Sequence, residues 1–425
     1  MLYDHRVDER GVRDAVNQAA AGVGGPGLGA GLPGAGAERP WSRQRLRSNN
    51  EWLLLARLRS HGPLSRAQLA RDTGLSKPTV SAALAALEEA GLVREAGRFV
   101  PERGRTAVLY EPDPAAGYVL GVDIGRAWLR VAVADLSGQV VARQDAPNRG
   151  RTANAVADAV VAAARAAIAA AGLTPDRIVH AVVGSPGVWD ERRRSVRFAD
   201  HLPGWGRRGL VDRIAAGLET TVTVANDANL AAVGEYAFGA GAGSELFVYA
   251  LVGTGFGVGV VQDGDVLVGA HGAAGEVGLL PVPPIAPEPL GGPARTLEEL
   301  VSGDAVVRIA HALGLAPALT AKEVFDLARA GDPVAVRVVA EVAERLGYAL
   351  AVVCAVLDPD LLVLGGGLGA SADLLLAPVE QALHRLCPLK PALAASRLGE
   401  DVVLLGALAT ALETARPEVF ERRTG

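Results

Sequence analysis

The stretch that decides the fold is VTVANDANLAAVGE, residues 222–235. Its first residues alternate β-branched side chains, which favours a strand, and the residues from Ala228 onward are good helix formers. Between them stand Asn226 and Asp227, which are residue types that cap helices and tolerate turns. The stretch therefore predicts a strand that ends where a helix begins. Open α/β sheets place their ligands at this carboxyl edge.

Two interpretations of Asn226 and Asp227 are open at this point. The pair can be a plain helix cap, since Asn and Asp are common there. Alternatively, the carboxylate of Asp227 accepts a hydrogen bond from a ligand hydroxyl or takes its proton as a general base. The rest of the chain favours the second interpretation.

The composition indicates a protein of two or three domains. The chain has 425 residues, half of them apolar and only 4% aromatic, which is enough for sizeable cores built from Ala, Val and Leu. Its two cysteines, Cys354 and Cys387, make neither a disulfide framework nor a zinc cluster. No apolar signal segment opens the chain, and the apolar run near residues 346–357 is too short to cross a bilayer. We expect a soluble, cytoplasmic protein with no membrane partner.

Charge is distributed unevenly along the chain. Residues 41–110 carry 12 Lys and Arg against 6 Asp and Glu, whereas residues 111–425 have a net charge of −10. A small basic module on an acidic body indicates a polyanion partner for the module alone. Residues 1–40 include a Gly, Ala and Pro-rich stretch that can bury little, so we predict a disordered extension there.

Residues 41–112 have the pattern of a winged helix-turn-helix domain. Ser65 and Gln68 form a capping box for the second helix. Gly74 follows that helix, and a proline stands in the first turn of the third helix, which is predicted to read the major groove. Two short strands, separated by an arginine-rich loop, form the predicted wing. The candidate DNA-binding residues are Ser76, Lys77, Thr79, Ser81, Arg98, Arg103 and Arg105.

Residues 117–425 predict an α/β body. Three strands come first, ending at about Gly125, Ala134 and Arg143, and they are followed by a helix and a further strand. This order, with no GxGxxG after the first strand, excludes a Rossmann start. Glycine clusters after later strands, at 253–255 and 365–367, are each a weak indication of a phosphate site.

The motifs of this body resemble those of the ROK family (repressors, unassigned reading frames and sugar kinases). They are VDIG at 122–125, SPG at 185–187, LPGW at 202–205, ANDANLAAVGE at 225–235, VGTGFGVG at 252–259, AGEVG at 274–278, LEELVSG at 297–303 and LGGGL at 364–368. With its N-terminal winged helix the chain is similar to the family's xylose and N-acetylglucosamine repressors. The resemblance implies a two-lobed, actin-like sugar-kinase fold, with lobes of about 117–225 and 226–400 and a C-terminal helix that packs back. It also implies a homodimer or homotetramer.

The resemblance places the sugar-binding positions on four polar residues and one glycine. Carboxylates accept charge-assisted hydrogen bonds from the adjacent hydroxyls of a sugar, and a glycine lets the backbone approach the ring. For Glu298 an exposed helix position is the alternative. The candidate sugar-binding residues are Gly187, Asn226, Asp227, Glu276 and Glu298.

Several departures from the family pattern bear on metals and catalysis. Leu279 stands where family members carry a histidine, and residues 281–300 contain neither Cys nor His, so we expect no zinc and no other cofactor. His201 precedes LPGW, where many members have an asparagine. The first phosphate loop reads Asp123-Ile124-Gly125-Arg126-Ala127, without the glycine and threonine that kinases carry after Asp-x-Gly.

The leading interpretation is a sugar-responsive repressor that binds operator DNA and takes a sugar or sugar phosphate in a former kinase cleft. A sugar kinase with a DNA-binding appendage is the first alternative, and Asp227 would be its base. The second is a regulator whose cleft no longer binds sugar, which the loss of histidine at Leu279 suggests. The sequence leaves open which sugar binds and whether it releases DNA or promotes its binding.

Overall fold

A computed structural model describes residues 43–100, 106–199, 202, 204–282 and 290–424, with side chains from residue 48 onward. The extension predicted for residues 1–40 therefore lies outside the described residues. So do three single residues discussed above, Arg103, Arg105 and His201.

The N-terminal part is a three-helix domain with a wing, as predicted. The Ser65 hydroxyl accepts from the Gln68 amide while the Gln68 side chain accepts from the Ser65 amide, so the capping box is confirmed. The strands pair in the order β1-β3-β2. The elements are α1 (Arg43–His61), β1 (Leu64–Ser65), α2 (Arg66–Thr73), α3 (Lys77–Glu89), β2 (Val93–Phe99) and β3 (Ala107–Pro112).

Apolar residues recur at helical spacing in the sequence of the third helix, which predicts that one face of it points inward. Val80, Ala83, Leu84 and Leu87 are all buried, at the spacing of one helix face. The first wing strand is longer than the sequence suggested. Strand β2 continues to Phe99 through a bulge between Glu95 and Gly97.

The first lobe is a five-stranded mixed sheet in the order β10-β7-β4-β5-β6. Strands β4, β5 and β6 form an antiparallel meander, and β7 and β10 run parallel to β4. The elements are β4 (Tyr118–Ile124), β5 (Trp128–Asp135), β6 (Val140–Pro147), α4 (Ala153–Ala170), β7 (Ile178–Ser185), β8 (Val188–Asp190), β9 (Ser195–Arg197), α5 (Leu210–Leu218) and β10 (Thr221–Asn226).

The second lobe repeats the theme with the strand order β13-β12-β11-β14-β15. Helices from Leu297 to Leu386 cover the outer face of the sheet, where they share one apolar core. Its elements are α6 (Asp227–Phe238), β11 (Leu246–Val252), β12 (Phe256–Gln262), β13 (Asp265–Val266), α7 (Leu297–Val301), α8 (Gly303–Ala312), α9 (Ala321–Arg329), α10 (Pro333–Leu357), β14 (Leu361–Gly365), α11 (Gly366–Gly369), α12 (Ala372–Leu386), β15 (Ala392–Ala395) and, last, α13 (Val402–Thr424).

Helices α6 and α13 form the layer between the two sheets. Helix α13 packs on β4 and β7 of the first sheet, and α6 packs on β11 and β12 of the second. The two helices touch backbone to backbone, because a Cβ on Gly406 would collide with the Leu230 carbonyl oxygen and one on Gly234 with that of Val402. Only glycine fits such a crossing.

Helix α13 also holds the winged helix domain. The Phe420 ring lies edge-on to Trp52 of α1 with centroids 5.0 Å apart, and Arg423 donates to the backbone oxygens of Ala90, Gly91 and Ala116. Leucines of α1 share one apolar core with α13. The winged helix domain is thus docked on the body by α13.

The connection between the two parts is a strand end and a turn, although the composition of residues 111–114, Glu-Pro-Asp-Pro, is typical of a linker. Strand β3 runs to Pro112, Asp113 caps a 3₁₀ turn over Pro114–Ala116, and β4 follows at Tyr118. Proline favours such a turn as well as a linker, so composition alone did not distinguish them.

Among the described residues, one helix is long and apolar enough to cross a membrane by length and composition, and it is α4. Eight of its residues are buried, in the core between α4 and the first sheet. A core helix of a soluble domain passes the same test.

Substituting Gly406 tests the helix crossing. A Gly406→Ala change adds a methyl group where the Leu230 carbonyl already lies. We expect a net loss on the order of 1–2 kcal/mol, because overpacking costs about 1–3 kcal/mol and exceeds the gain in helix propensity of about 1 kcal/mol. Thermal melting measures the loss, with the exposed Thr414→Ala on the same helix as the control. An unchanged melting temperature for Gly406→Ala would contradict the close crossing.

Candidate ligand-binding cleft and DNA-binding surface

The carboxyl ends of three parallel strands bring the candidate residues to one sheet edge. Gly184 of β7 pairs with Asp123 of β4 on one side and with Ala225 of β10 on the other. The next pair is Ser185 with Asn226. Asp123, Ser185 and Asn226 therefore end neighbouring strands at the edge where open α/β sheets bind ligands.

Asn226 is both a helix cap and part of the cleft. Its Oδ1 accepts from the Asn229 amide at 3.1 Å, which caps α6. Its Nδ2 donates to the Gly187 carbonyl oxygen at 3.2 Å and to Glu276 Oε1 at 3.3 Å. One amide thus ties the first lobe to an acid of the second.

Gly187 has the backbone geometry that its role requires. Its φ is +83°, and a Cβ there would collide with the Arg197 carbonyl oxygen. A side chain is excluded at this turn both by strain and by space. The Gly187 carbonyl consequently reaches the Asn226 amide, as quoted above.

The two glutamates come from the second lobe. Glu298 Oε2 accepts from the Phe256 amide at 3.1 Å, so the alternative of an exposed helix residue is wrong for Glu298. Burial first, and then the charge of Glu298, raises the pKa of Glu276. The charge of Glu298 is therefore near enough to act on the carboxyl group of Glu276.

Asp227 begins α6 at the centre of this group. Its Oδ1 accepts from the Ala228 amide at 2.9 Å. Although the residue is only half-buried, the surrounding protein desolvates its carboxylate and raises its pKa to about 7. Desolvation is the largest cause of this shift in pKa, and the charges of Asp123 and, less strongly, Glu276 contribute to it.

Asp123 was not among the residues predicted for the site. It is buried, and desolvation raises its pKa to about 6, although Arg130 opposes the shift from 3.3 Å. In the sequence, Asp123 stands at the end of the first strand of the body, and this position was interpreted only as part of the phosphate loop. In the structure that strand runs parallel to β10 in the same sheet. Asp123 thus joins Asp227, Glu276 and Glu298 as an acid of the candidate cleft. Carboxyl groups that share a site keep their protons to higher pH, because their negative charges repel.

The turn between β4 and β5 is where a kinase of this fold would hold phosphate. The Gly125 amide donates to the Trp128 carbonyl oxygen at 2.9 Å, and Asn148 donates from its side chain to the Gly125 oxygen at 2.9 Å. The Asn148 backbone amide donates to the Ala127 oxygen at 2.8 Å. These polar groups of the hairpin are therefore already paired within the protein.

The predicted DNA-contacting residues lie at the start of α3 and on the wing. Ser76 caps α3 and its hydroxyl lies 2.8 Å from that of Thr79, while Lys77 is exposed. Ser81 is half-buried one turn further on, and Arg98 is exposed on β2. The tip of the wing, with Arg103 and Arg105, lies outside the described residues.

Fold and cleft together define a two-lobed protein of the sugar-kinase and actin type that carries a winged helix-turn-helix domain. Residues 119–414 match the ROK family, and residues 47–105 match the MarR family. The chain belongs to the ROK family, and the combination supports a DNA-binding regulator.

Relatives include both enzymes and regulators. A glucokinase of Streptomyces coelicolor is 31% identical over 70% of this chain and 98% of its own. The DNA-binding transcriptional dual regulator NagC of Escherichia coli is 25% identical over 76% of this chain and 82% of its own. The crystal structure of a ROK family transcriptional regulator, a homologue of the E. coli MLC protein, has a TM-score of 0.71 at 23% identity and covers 89% of this chain and 99% of its own. That structure shares the fold of both parts.

The raised pKa of Asp227 predicts a pH-dependent stability. Its ordinary value is 3.8, so between about pH 4 and 7 the folded protein keeps a proton that the unfolded chain releases, and stability falls as the pH rises through that window. Asp227→Asn removes the penalty. We expect it to melt higher than the parent at pH 8 and much closer to it at pH 4.5.

Thermal melts at the two pH values check this, with the exposed Asp176→Asn as the control. A difference between Asp227→Asn and the parent that is the same at both pH values would show that the Asp227 carboxyl is not perturbed.

Proposed function

We propose that the protein is a cytoplasmic, sugar-responsive transcriptional repressor that leaves its operator when a sugar or sugar phosphate binds in the cleft. The observation that carries the proposal is the meeting of Asn226, Asp227, Glu276 and Glu298 at the cleft, in a chain that also holds a winged helix domain. The active species is a symmetric homodimer or homotetramer, since paired recognition helices read paired half-sites.

The chemistry of the cleft suits a sugar. Neighbouring hydroxyls of a pyranose or furanose ring donate to carboxylates and accept from an amide, and this set offers both kinds of group. Because Asp227 and Glu276 are already crowded by like charge, hydroxyl donors also relieve repulsion there. The relatives named as glucokinase and NagC fit the same ligand class.

A ligand in the cleft acts first on α6. Asp227 is the first residue of that helix and Asn226 is its cap. Closing the lobes around a sugar therefore acts directly on the N-terminus of α6. The lobes meet there, because the Asn226 amide donates to Glu276 of the second lobe.

Movement of α6 passes to α13 through two contacts. The first is the glycine crossing at Gly234 and Gly406, where the backbones touch. The second is the fully buried carboxylate of Glu235, which accepts from the Ser396 hydroxyl and from the Arg397 and Leu398 amides just ahead of α13. A buried carboxylate with several donors resists local rearrangement, so α6 and α13 move as one unit.

Movement of α13 then reaches DNA, because its last turns hold the winged helix domain through Phe420 and Arg423. The ligand favours the lobe arrangement in which the two recognition helices of the oligomer no longer match the operator. This is two-state coupling between separate sites, for which about 1–3 kcal/mol is typical.

Kinase activity is the competing function, and the relatives at 31% identity favour it. Two observations support a sensor instead. The phosphate hairpin carries Arg126 and Ala127 in place of the glycine and threonine of the kinases, and the Gly125 amide is already paired with the Trp128 carbonyl oxygen. In addition, Arg130 occupies the carboxylate of Asp123 and also pairs with Glu400. A base at Asp227 without a bound phosphoryl donor transfers nothing.

Asp227→Ala tests the ligand site. The variant should keep the parent's operator affinity without sugar, since Asp227 is remote from the recognition helix. It should lose DNA release by the best sugar from a thermal-shift panel, because a hydrogen bond to a charged group contributes roughly 1.5–3 kcal/mol. Fluorescence anisotropy with a labelled operator measures both, with Asp176→Ala as the control. Release at the parent's sugar concentration would place the ligand elsewhere, and a parent that responds to no sugar would favour a cleft that has lost its ligand.

A coupled ADP-release assay tests the enzyme alternative. We expect no turnover on hexoses, pentoses or acetamido sugars, because Arg126 and Ala127 replace the glycine and the hydroxyl residue of the phosphate loop. The Streptomyces coelicolor glucokinase serves as the positive control. A rate above about 1 per second, which is ordinary for an enzyme, would overturn the sensor assignment.

A further inference from the structure

A second cavity lies where the winged helix domain meets the body, away from the sugar cleft. Its volume is about 310 Å³. The walls come from α1 and the turn after it, from the connection 111–114, from the turn after β5 and from α13. A ligand there would touch the DNA-binding domain and the body at once.

Two guanidinium groups line this cavity, one from each side of the junction. Arg59 belongs to α1, and its guanidinium lies over the Trp52 ring at 5.3 Å from the centroid. Arg416 belongs to α13 and donates from Nε and Nη2 to the Leu136 carbonyl oxygen at 3.1 and 3.0 Å. Among the residues that the structure describes, neither has a carboxylate within salt-bridge distance.

The carboxylates in the wall are already engaged elsewhere. Glu111 pairs with Arg94 at 2.8 Å, and Asp113 Oδ1 accepts from the Ala115 amide at 3.0 Å. Glu413 and Asp135 lie near enough to Arg416 to favour its charge, but desolvation outweighs them and lowers its pKa. Within the described residues, neither guanidinium group of the cavity is therefore held in a salt bridge by these carboxylates.

The electrostatics of Arg59 agree with this geometry. Burial, and next the positive charge of Arg416, lower the pKa of Arg59 to about 9. Two cations that repel one another in a desolvated site would be stabilised by an anion between them. Arg binds phosphate through paired N–H donors, and a phosphomonoester carries close to two negative charges at pH 7.

We propose that this junction cavity is a second effector site that binds a small phosphomonoester between Arg59 and Arg416. Its size admits a metabolite at the small end of the usual range for ligand pockets. The bound anion joins α1 to α13 and so fixes the winged helix domain on the body. Operator affinity then depends on a phosphorylated metabolite as well as on the occupant of the cleft.

Binding is tested without DNA, so that failure of the sugar proposal does not affect the result. The full chain is melted in increasing inorganic phosphate and, separately, glycerol 3-phosphate, with sodium chloride matched for ionic strength. We expect a saturable rise in melting temperature with either phosphate compound and a smaller, unsaturable change with chloride. An equal rise with chloride would overturn the site.

Variants locate the effect. Arg59→Gln and Arg416→Gln should each weaken phosphate binding at least tenfold, and Arg59→Lys should restore part of it because the charge returns. Arg337→Gln, exposed on α10, should bind phosphate like the parent. If one of the cavity variants fails to fold, the other still decides. Undiminished binding in a folded Arg59→Gln or Arg416→Gln, or binding lost in Arg337→Gln, would refute the assignment.

The regulatory part of the proposal has its own readout. Glycerol 3-phosphate at saturation should change the operator dissociation constant of the parent at least threefold at constant ionic strength. The folded Arg59→Gln protein should show no such change. An unchanged constant in a parent that binds phosphate at the cavity would contradict an effector role.

Discussion

Helices α6 and α13 cross at Gly234 and Gly406 with their backbones in contact, and both ends of the molecule depend on that crossing. It brings α6, whose first residue faces the cleft, against the helix whose last turns hold the DNA-binding domain. Larger residues at these two positions would separate the helices and weaken the contact that connects the cleft to the winged helix domain. The buried carboxylate of Glu235, near the end of α6, accepts hydrogen bonds from the backbone just ahead of α13 and so adds a second connection between the two helices.

The proposed sensor and the alternative kinase make different demands on the cleft. A kinase must bind two substrates and align them, which requires a free phosphate hairpin. A sensor needs only that one ligand binds the two lobe arrangements with different affinity. The acids lie at the sheet edge, whereas the hairpin has Arg126 and Ala127 in the phosphate loop and a Gly125 amide that is paired with the Trp128 oxygen. Relatives of both kinds share the fold, so the fold alone does not decide function.

Much of the architecture could be predicted from sequence because its signals are local. The capping box at Ser65, the inward face of α3, the three opening strands and the strand-to-helix change at Asn226 all depend on neighbouring residues. The family motifs supplied Glu276 and Glu298, whose positions no local pattern could relate to Asn226. Asp123 was missed as a member of the cleft, since its nearness to Asp227 depends on the order of strands in the sheet. The docking of Trp52 on Phe420, 368 residues away, has no sequence signal at all.

We propose that ligand binding in the cleft and operator binding by the winged helix domain are linked. Such linkage is reciprocal, so DNA must change the affinity for the sugar by the same factor by which the sugar changes the affinity for DNA. The direct measurement is calorimetric titration of the best sugar into the full chain, with and without saturating operator selected from a random-sequence library. We expect operator DNA to weaken sugar binding by the same factor by which the sugar weakens DNA binding, which is about 5–150-fold for typical coupling. A sugar dissociation constant that is the same with and without operator would contradict it.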